Sequence, residues 1–220
     1  TPGPVHLESR FPDSGKSVAV IGAGPAGLAA ARELRRLGHA VDVYEQHPLP
    51  GGMMVQGIPA FRLPRGLVAD EIAQVAAQGV RLHPGCKVGT DVKLGELLKQ
   101  HDAVLVAVGT LKPNLLDLPG ASLSGIRHGL DFLLEANTTG QAGIGQRVVV
   151  IGGGFTAMDC ARMARRLLAP NGLEAKPQPP PVQVFYRRSK SEMLVTPGEL
   201  EALQHEGIPM AFMAAAVAYV

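Results

Sequence analysis

The chain has 220 residues, 46% of them hydrophobic, with a net charge of +2 at pH 7. That length allows one large or two small domains with a real core, and the small charge and few aromatic residues disfavour a nucleic-acid-binding surface. No stretch approaches the ~20 apolar residues of a transmembrane helix, and the two cysteines, Cys86 and Cys160, form no C-x-x-C motif. We therefore predict a cytoplasmic protein without a membrane span, a disulfide framework or a metal site.

Residues 18–45 predict a strand, a tight turn, a helix and a second strand. The sequence VAVIGAGPAGLAAARELRRLGHAVDVYE combines an apolar strand, a complete G-x-G-x-x-G motif and an amphipathic helix. This pattern is typical of a dinucleotide-binding unit, in which glycines let a diphosphate approach the helix N-terminus and a terminal acid, here Glu45, binds a ribose hydroxyl. A glycine-rich turn without a ligand is the alternative. The candidate residues of the turn are Gly22, Gly24, Pro25, Ala26 and Gly27.

A compact loop is predicted after Glu45, next to this turn. Its sequence, QHPLPGGMMVQGIPAFRLP, is rich in glycine and proline, which disfavour a helix or a long strand. Its apolar side chains suit a wall for a flat ring, and Arg62 is the strong cation nearby. The alternative is a surface loop whose methionines fill the core. The apolar residues are Met53, Met54, Val55, Ile58 and Phe61.

The next elements extend a parallel sheet. Helical spacing at 68–76 and 94–98 predicts two helices, and apolar residues at 80–88 predict a short strand region between them. The continuous apolar run at 103–108 predicts a buried strand that ends at Gly109. Because the carboxyl ends of parallel strands line the ligand crevice, we expect Gly109 to approach the cofactor.

From residue 147 the strand, turn and helix pattern repeats. The sequence RVVVIGGGFTAMDCARMARRL contains G-x-G-x-x-A, a permitted variant of the dinucleotide motif. Two such units indicate a protein that brings two dinucleotides together. The candidate residues of this second turn are Gly152, Gly154, Phe155, Thr156 and Ala157.

The second unit differs from the first where its next strand ends. If Val182, Val184 and Phe185 form that strand, the position of the ribose acid falls on Tyr186, and two arginines follow it. Arginine pairs bidentately with phosphate, so the pair predicts a 2′-phosphate and hence NADPH rather than NADH. The alternative is a pair of solvated arginines at a strand end. A proline-rich insert accounts for the long distance from the turn. The two arginines are Arg187 and Arg188.

Five motifs together resemble the small-subunit family of bacterial glutamate synthase, which includes the N-terminal flavin half of dihydropyrimidine dehydrogenase. They are VAVIGAGPAGL, GGMMVQGIPAFRLP, DAVLVAVGT, VVVIGGGFTAMDCARMARRL and VFYRRSKSEM. The second and the last are the specific ones, because simple Rossmann proteins lack them. The resemblance implies an α/β fold of two Rossmann-like parallel-sheet units. After a linker at 1–16, we assign the first part of an FAD-binding domain to 17–140 and an incomplete NAD(P)-binding domain to 141–220.

The resemblance also implies a reaction. FAD would lie at the first turn and NADPH at the second, a hydride would pass from NADPH to the flavin, and electrons would continue to an iron–sulfur protein or domain. No side chain need act as a catalytic acid or base, because positioning two rings is the catalysis. Further residues implied along the FAD are Gly52, Met53, Arg62, Leu63, Val88 and Gly109.

Two departures from the family pattern qualify these expectations. Phe155 stands where the family usually has asparagine, so a polar contact at the second turn is missing. The family's flavin domain is discontinuous, and this sequence ends before the chain returns to it. We therefore expect a piece of a longer protein or a reduced relative that belongs to a larger complex. The alternative function is a truncated nucleotide-binding subunit with a structural or assembly role.

Overall fold

A computed structural model of the chain describes residues 11–110, 116–169, 172–174, 177 and 179–220. They form two compact units that divide after Thr110, and each contains a parallel sheet with helices. This confirms the predicted α/β class. The predicted ligand-binding domains divide later, at residue 140, and they remain a prediction. Residues 1–10 of the predicted linker, and part of the proline-rich insert, lie outside the described residues.

The first unit is built on a four-stranded parallel sheet in the order β3-β2-β1-β4. The loop predicted between β2 and α3 is present, but it contains one helical turn, α2, that its glycine-rich sequence did not indicate. The elements are β1 (Ser17–Ile21), α1 (Pro25–Arg36), β2 (Ala40–Glu45), α2 (Met53–Gln56), α3 (Arg65–Ala77), β3 (Arg81–Pro84), α4 (Leu94–Gln100) and β4 (Ala103–Val106).

An apolar cluster holds α1 and α3 on one face of this sheet. Val20 and Val43 are fully buried in the two central strands, and Leu28 and Ala31 of α1 pack against them, as does Val75 of α3. Side chains alternate across a strand with a period of two, so one face of β1 and β2 is committed to this core.

Strand β4 corrects the prediction of a buried strand at 103–108. Leu105 and Val106 are 38% and 61% exposed. Among the described residues β4 pairs with β1 alone, so it is an edge strand with one unpaired side. An apolar run predicts that a strand can be buried, but it does not say whether a neighbouring strand is there to bury it.

The second unit is built on a three-stranded parallel sheet in the order β5-β6-β7. Its core contains Met158 and Ala161, together with Val182, Val184 and Leu203, all of which are buried. The elements are α5 (Gly129–Thr139), β5 (Val148–Ile151), α6 (Phe155–Leu167), β6 (Val182–Phe185), α7 (Pro197–His205) and β7 (Met210–Ala211). None of the helices in the described part of the chain has the length and apolarity that crossing a membrane requires.

A buried carboxylate anchors the other face of the first sheet. Asp42 in β2 is 4% exposed, and it accepts a hydrogen bond from Arg81 of β3. His83 and His101 contact its two oxygens through Nε2 at 2.8 and 3.3 Å. Burial by itself raises the pKa of Asp42, but the three basic partners outweigh it and hold the pKa well below its usual range.

We expect Asp42→Asn to lower the free energy of unfolding of the first unit by about 2 kcal/mol at pH 7, because a carboxamide cannot serve all three partners. A lowered pKa in the folded state means that the carboxylate stabilises the fold above its unfolded pKa of about 4. That contribution is lost as the pH falls from there towards the folded pKa. In urea unfolding at pH 7, 5, 4 and 3, the difference in the free energy of unfolding between wild type and variant should therefore become smaller below about pH 4. A difference that stays constant to pH 3 would contradict this role.

Candidate functional site

The first glycine-rich turn leaves no room for a side chain at its first and last glycines, Gly22 and Gly27. Gly22 has φ +105°, and a Cβ there would lie 2.4 Å from the carbonyl oxygen of Ala107. A Cβ on Gly27 would lie 1.9 Å from the carbonyl oxygen of Gly22. The Gly22 amide donates to the Tyr44 carbonyl oxygen at 2.8 Å, which continues the pairing of β1 with β2 into the turn. The turn is therefore fixed by backbone on both sides.

The N-terminus of α1 has backbone donors without side-chain acceptors. Gly24 is its N-cap residue and Pro25 its first residue, and no side chain caps it. The first N–H groups of a helix have no partner within the helix, and the helix dipole adds positive charge there. A Cβ on Gly24 would have only the Cα of Gly52 within 4 Å, at 3.9 Å. This arrangement fits a diphosphate.

Glu45 faces the same turn. Its carboxylate accepts hydrogen bonds from the amides of Ala23 and His47, each at 2.9 Å, and it is 6% exposed. A carboxylate has about four acceptor positions, so two remain for the hydroxyls of a ribose. The spacing of the motif identified this acid in the sequence. The two hydrogen bonds from backbone amides that orient its carboxylate could not be predicted in that way.

The loop after β2 lies against the turn. The Gly51 amide donates to the Ala23 carbonyl oxygen at 2.8 Å, and a Cβ on Gly52, which has φ +52°, would lie 2.7 Å from the Cα of Gly24. Met54 packs against the core of the first unit, as the alternative interpretation of these methionines expects, while Met53 is half-buried.

The remaining candidates of the first unit surround this loop and the carboxyl ends of the strands. The amides of Arg62 and Leu63 donate to the Pro59 carbonyl oxygen at 2.9 and 3.0 Å. Val88 forms an isolated bridge with Val92 after β3, and Gly109 follows β4 with φ +69°. Their contacts with a cofactor stay predictions.

The second turn repeats the first but is more open. The Gly152 amide donates to the Phe185 carbonyl oxygen at 2.9 Å, which is the counterpart of the Gly22 bond. A Cβ on Gly153 would lie 2.4 Å from the ring of Tyr186, whereas a Cβ on Gly154 would meet nothing within 4 Å. Gly154 precedes the first residue of α6, so the open space beside it leaves room for a diphosphate at the start of this helix.

The start of α6 also lacks a side-chain cap, with Gly154 as its N-cap residue. Phe155 is 47% exposed there, and Thr156 and Ala157 follow it in the first turn of the helix. Cys160, one turn further on, donates through Sγ to the Gly129 carbonyl oxygen at 3.4 Å. Burial raises the pKa of the Cys160 thiol to about 12, so it remains protonated and unreactive at neutral pH.

Strand register places Tyr186 where the first unit has Glu45. Ile21 pairs with Tyr44 in the first unit and Ile151 with Phe185 in the second, so the next residue in each unit occupies the same position. The equivalence predicted from the sequence is thus present in the backbone.

The two arginines after Tyr186 are exposed. Within the described part of the chain, neither guanidinium has a hydrogen-bond or ion-pair partner. The pKa of nearby Glu192 is lowered mainly by hydrogen bonds from Ser189 and less by the charge of Arg188. Both arginines are therefore available to an anion.

Sequence reasoning missed one residue beside these arginines. Met213 has φ +55°, the left-handed conformation that L-residues other than Asn and Asp rarely adopt. Its amide donates to the Arg188 carbonyl oxygen at 3.1 Å, and the Ala214 amide donates to that of Tyr186 at 3.0 Å. The segment after β7 thus fixes the backbone of residues 186–188, which include the two arginines. A methionine gives no signal for this conformation, unlike a glycine.

Comparisons with known proteins identify the family and the fold of this chain. The profile of the pyridine nucleotide-disulphide oxidoreductase family matches residues 16–218. The chain is 39% identical over 213 residues to the glutamate synthase [NADPH] small chain of Azospirillum brasilense, covering 91% of this chain and 42% of that one. It is 38% identical to the NADP(+)-dependent formate dehydrogenase subunit beta of Moorella thermoacetica, covering 94% of this chain and 28% of that one.

Among solved structures, FprA of Mycobacterium tuberculosis in complex with NADPH is similar, with 27% identity and a TM-score of 0.71. The match covers 88% of this chain and 47% of FprA. The chain spans less than half the length of each of these relatives.

Proposed function

The chain belongs to the pyridine nucleotide-disulphide oxidoreductase family, and on this premise we propose that its first unit binds FAD, that its second binds NADPH, and that a hydride passes from NADPH to the flavin. The resemblance to the glutamate synthase small chain is confirmed by identities of 39% and 38% to two such chains. The assignment of each dinucleotide to a unit rests on the residues where the second strand of each unit ends.

The main observation that supports this assignment is a difference between the two units at one equivalent position. In the first, a buried carboxylate, Glu45, faces the turn, which suits ribose hydroxyls and repels a 2′-phosphate. In the second, Tyr186 occupies that position and the exposed Arg187 and Arg188 follow. Guanidinium groups match the geometry of a phosphate. This difference favours FAD at the first turn and NADPH at the second.

The residues of the chain would bind and orient the two dinucleotides, and the cofactor would supply the redox chemistry. FAD, when bound, accepts a hydride from a reduced nicotinamide and passes electrons on. The uncapped starts of α1 and α6 would hold the two diphosphates. Glu45 would fix a ribose, and the loop at 51–63 would exclude water from one side of the flavin. Because burial raises the pKa of the Cys160 thiol to about 12, we assign this cysteine no role in proton transfer or thiol exchange.

We further propose that electrons leave to an iron–sulfur protein or domain within a larger assembly. Relatives are named as subunits, among them the NADPH-Fe(3+) oxidoreductase subunit beta of Geobacter sulfurreducens, of which the chain covers 29%. A location in the cytoplasm, suggested by the absence of a disulfide framework, stays part of the same proposal. The exposed edge strand β4 favours the second candidate function, a structural or assembly role as a nucleotide-binding subunit.

The first experiment is an absorption spectrum of the purified protein, taken before and after anaerobic addition of NADPH. We expect flavin bands that bleach with NADPH and bleach less readily with NADH. NADH at the same concentration is the control for the arginine assignment. Flavin bands that persist with NADPH would contradict hydride transfer by this chain. If the protein holds no flavin even after FAD is added, the assembly role replaces the enzyme proposal.

A further inference from the structure

We propose that Arg65 is a positioning residue for the flavin loop, which we define as residues 51–58, and that it holds this loop on the first turn by bridging two of its carbonyl groups. The inference rests on the proposed function for its effect on FAD. The bridge itself is a property of the protein without a cofactor.

The guanidinium of Arg65 joins two points of the flavin loop. Nη1 donates to the Met54 carbonyl oxygen and Nη2 to the Ile58 carbonyl oxygen, each at 2.7 Å. Arg65 is the first residue of α3, directly after the N-cap residue Pro64, so the helix fixes where its side chain begins. The planar fork of a guanidinium can serve two acceptors at once, which an ammonium group does less well.

The bridge matters because α2 is too short to be stable alone. It has four residues, whereas isolated helices below about 12 residues are marginal in water. The last carbonyl groups of a helix have no partner within it, and a cation there is favourable. Arg65 therefore supplies α2 with a positively charged hydrogen-bond donor for the Met54 carbonyl oxygen, which no hydrogen bond within this short helix provides.

The opposite end of the flavin loop is attached to the first turn. The Gly51 amide donates to the Ala23 carbonyl oxygen at 2.8 Å, and Gly52 lies close against Gly24. Between these attachments lies Met53, whose carbonyl oxygen accepts from the amides of Gly57 and Ile58 at 3.0 Å. The loop is thus held by the turn at its start and by Arg65 of α3 at its end, and without Arg65 its end would be free to move relative to the turn.

The decisive experiment compares Arg65→Met and Arg65→Lys with wild type in the full chain. In the cofactor-free protein, we expect Arg65→Met to speed hydrogen exchange of the Gly57 and Ile58 amides while exchange in α1 stays unchanged. With FAD added, we expect its Kd to rise about tenfold, which corresponds to about 1.4 kcal/mol and so to roughly the lower value of a single charged hydrogen bond. The visible circular dichroism of bound flavin should also change. The Kd for NADPH should stay the same.

Two comparisons make the outcome decisive. Arg36→Met removes a guanidinium from α1 that pairs with Glu33 on the surface, and it should leave loop exchange and FAD affinity unchanged. Arg65→Lys should give amide exchange rates and a Kd for FAD between those of wild type and Arg65→Met, because a single ammonium group replaces the planar guanidinium.

Wild-type exchange at Gly57 and Ile58 in Arg65→Met would overturn the proposal, and so would full rescue by lysine. If wild type binds no FAD, the proposed function fails while the exchange measurement still decides the role of Arg65.

Discussion

Gly27→Ala is expected to abolish FAD binding and to destabilise the first unit by about 3 kcal/mol. The added methyl carbon would lie 1.9 Å from the Gly22 carbonyl oxygen, far inside van der Waals contact, and 3.3 Å from a methyl carbon of Val20. The oxygen belongs to the backbone of a turn and cannot rotate away. Helix α1 must therefore move off β1, and its N-terminal amides move with it. FAD content after purification and thermal unfolding followed by circular dichroism would measure both effects.

Two matched variants separate this steric effect from the general cost of a methyl group. Gly66→Ala lies within α3, where a Cβ meets nothing within 4 Å, and alanine is the better helix former by about 1 kcal/mol. We expect it to keep FAD and to unfold at the same or a higher temperature. Ala157→Gly removes the methyl group from the equivalent position of the second turn and should leave FAD binding intact. Normal FAD content in Gly27→Ala would contradict the assignment of the first turn to a diphosphate.

The sequence was informative where one residue type has one structural use. Gly22, Gly27 and Glu45 could be identified because a strand, a turn and a helix of fixed length set their spacing. For the same reason the repeat at residue 147 predicted the register of β6, including the position of Tyr186. Local patterns of this kind need no knowledge of the rest of the fold.

The features that escaped prediction depend on contacts between distant residues. Arg65 bridges two carbonyl groups, and no pattern distinguishes it from an arginine on the surface. Asp42 looks like an ordinary polar residue in a strand until β3 and the end of α4 bring Arg81 and His101 to it. The exposure of β4 depends on which strands lie beside it, and an apolar run is the same in either case.

Replacing both arginines, in Arg187→Ala/Arg188→Ala, is expected to weaken NADPH binding on the order of 100-fold and to leave NADH binding nearly unchanged. The two guanidinium groups are exposed and make no ion pair among the described residues, so their removal leaves no buried charge behind and should not unfold the protein. NADH lacks the 2′-phosphate and so loses nothing when they are removed. Equilibrium titration with each nucleotide at two salt concentrations would give the Kd values and the electrostatic share, because salt screens exposed charges.

The control for this pair is Arg147→Ala. Arg147 is exposed like the other two, but it precedes β5 and so lies at the amino edge of the parallel sheet, opposite to the ends of its strands where dinucleotides bind. Arg147→Ala should therefore leave the Kd values for NADPH and for NADH unchanged. An equal loss of NADPH and NADH in the double variant would mean that the arginines serve the fold or the diphosphate. If neither Kd changes, they are solvated side chains, and the preference for NADPH must come from another part of the protein.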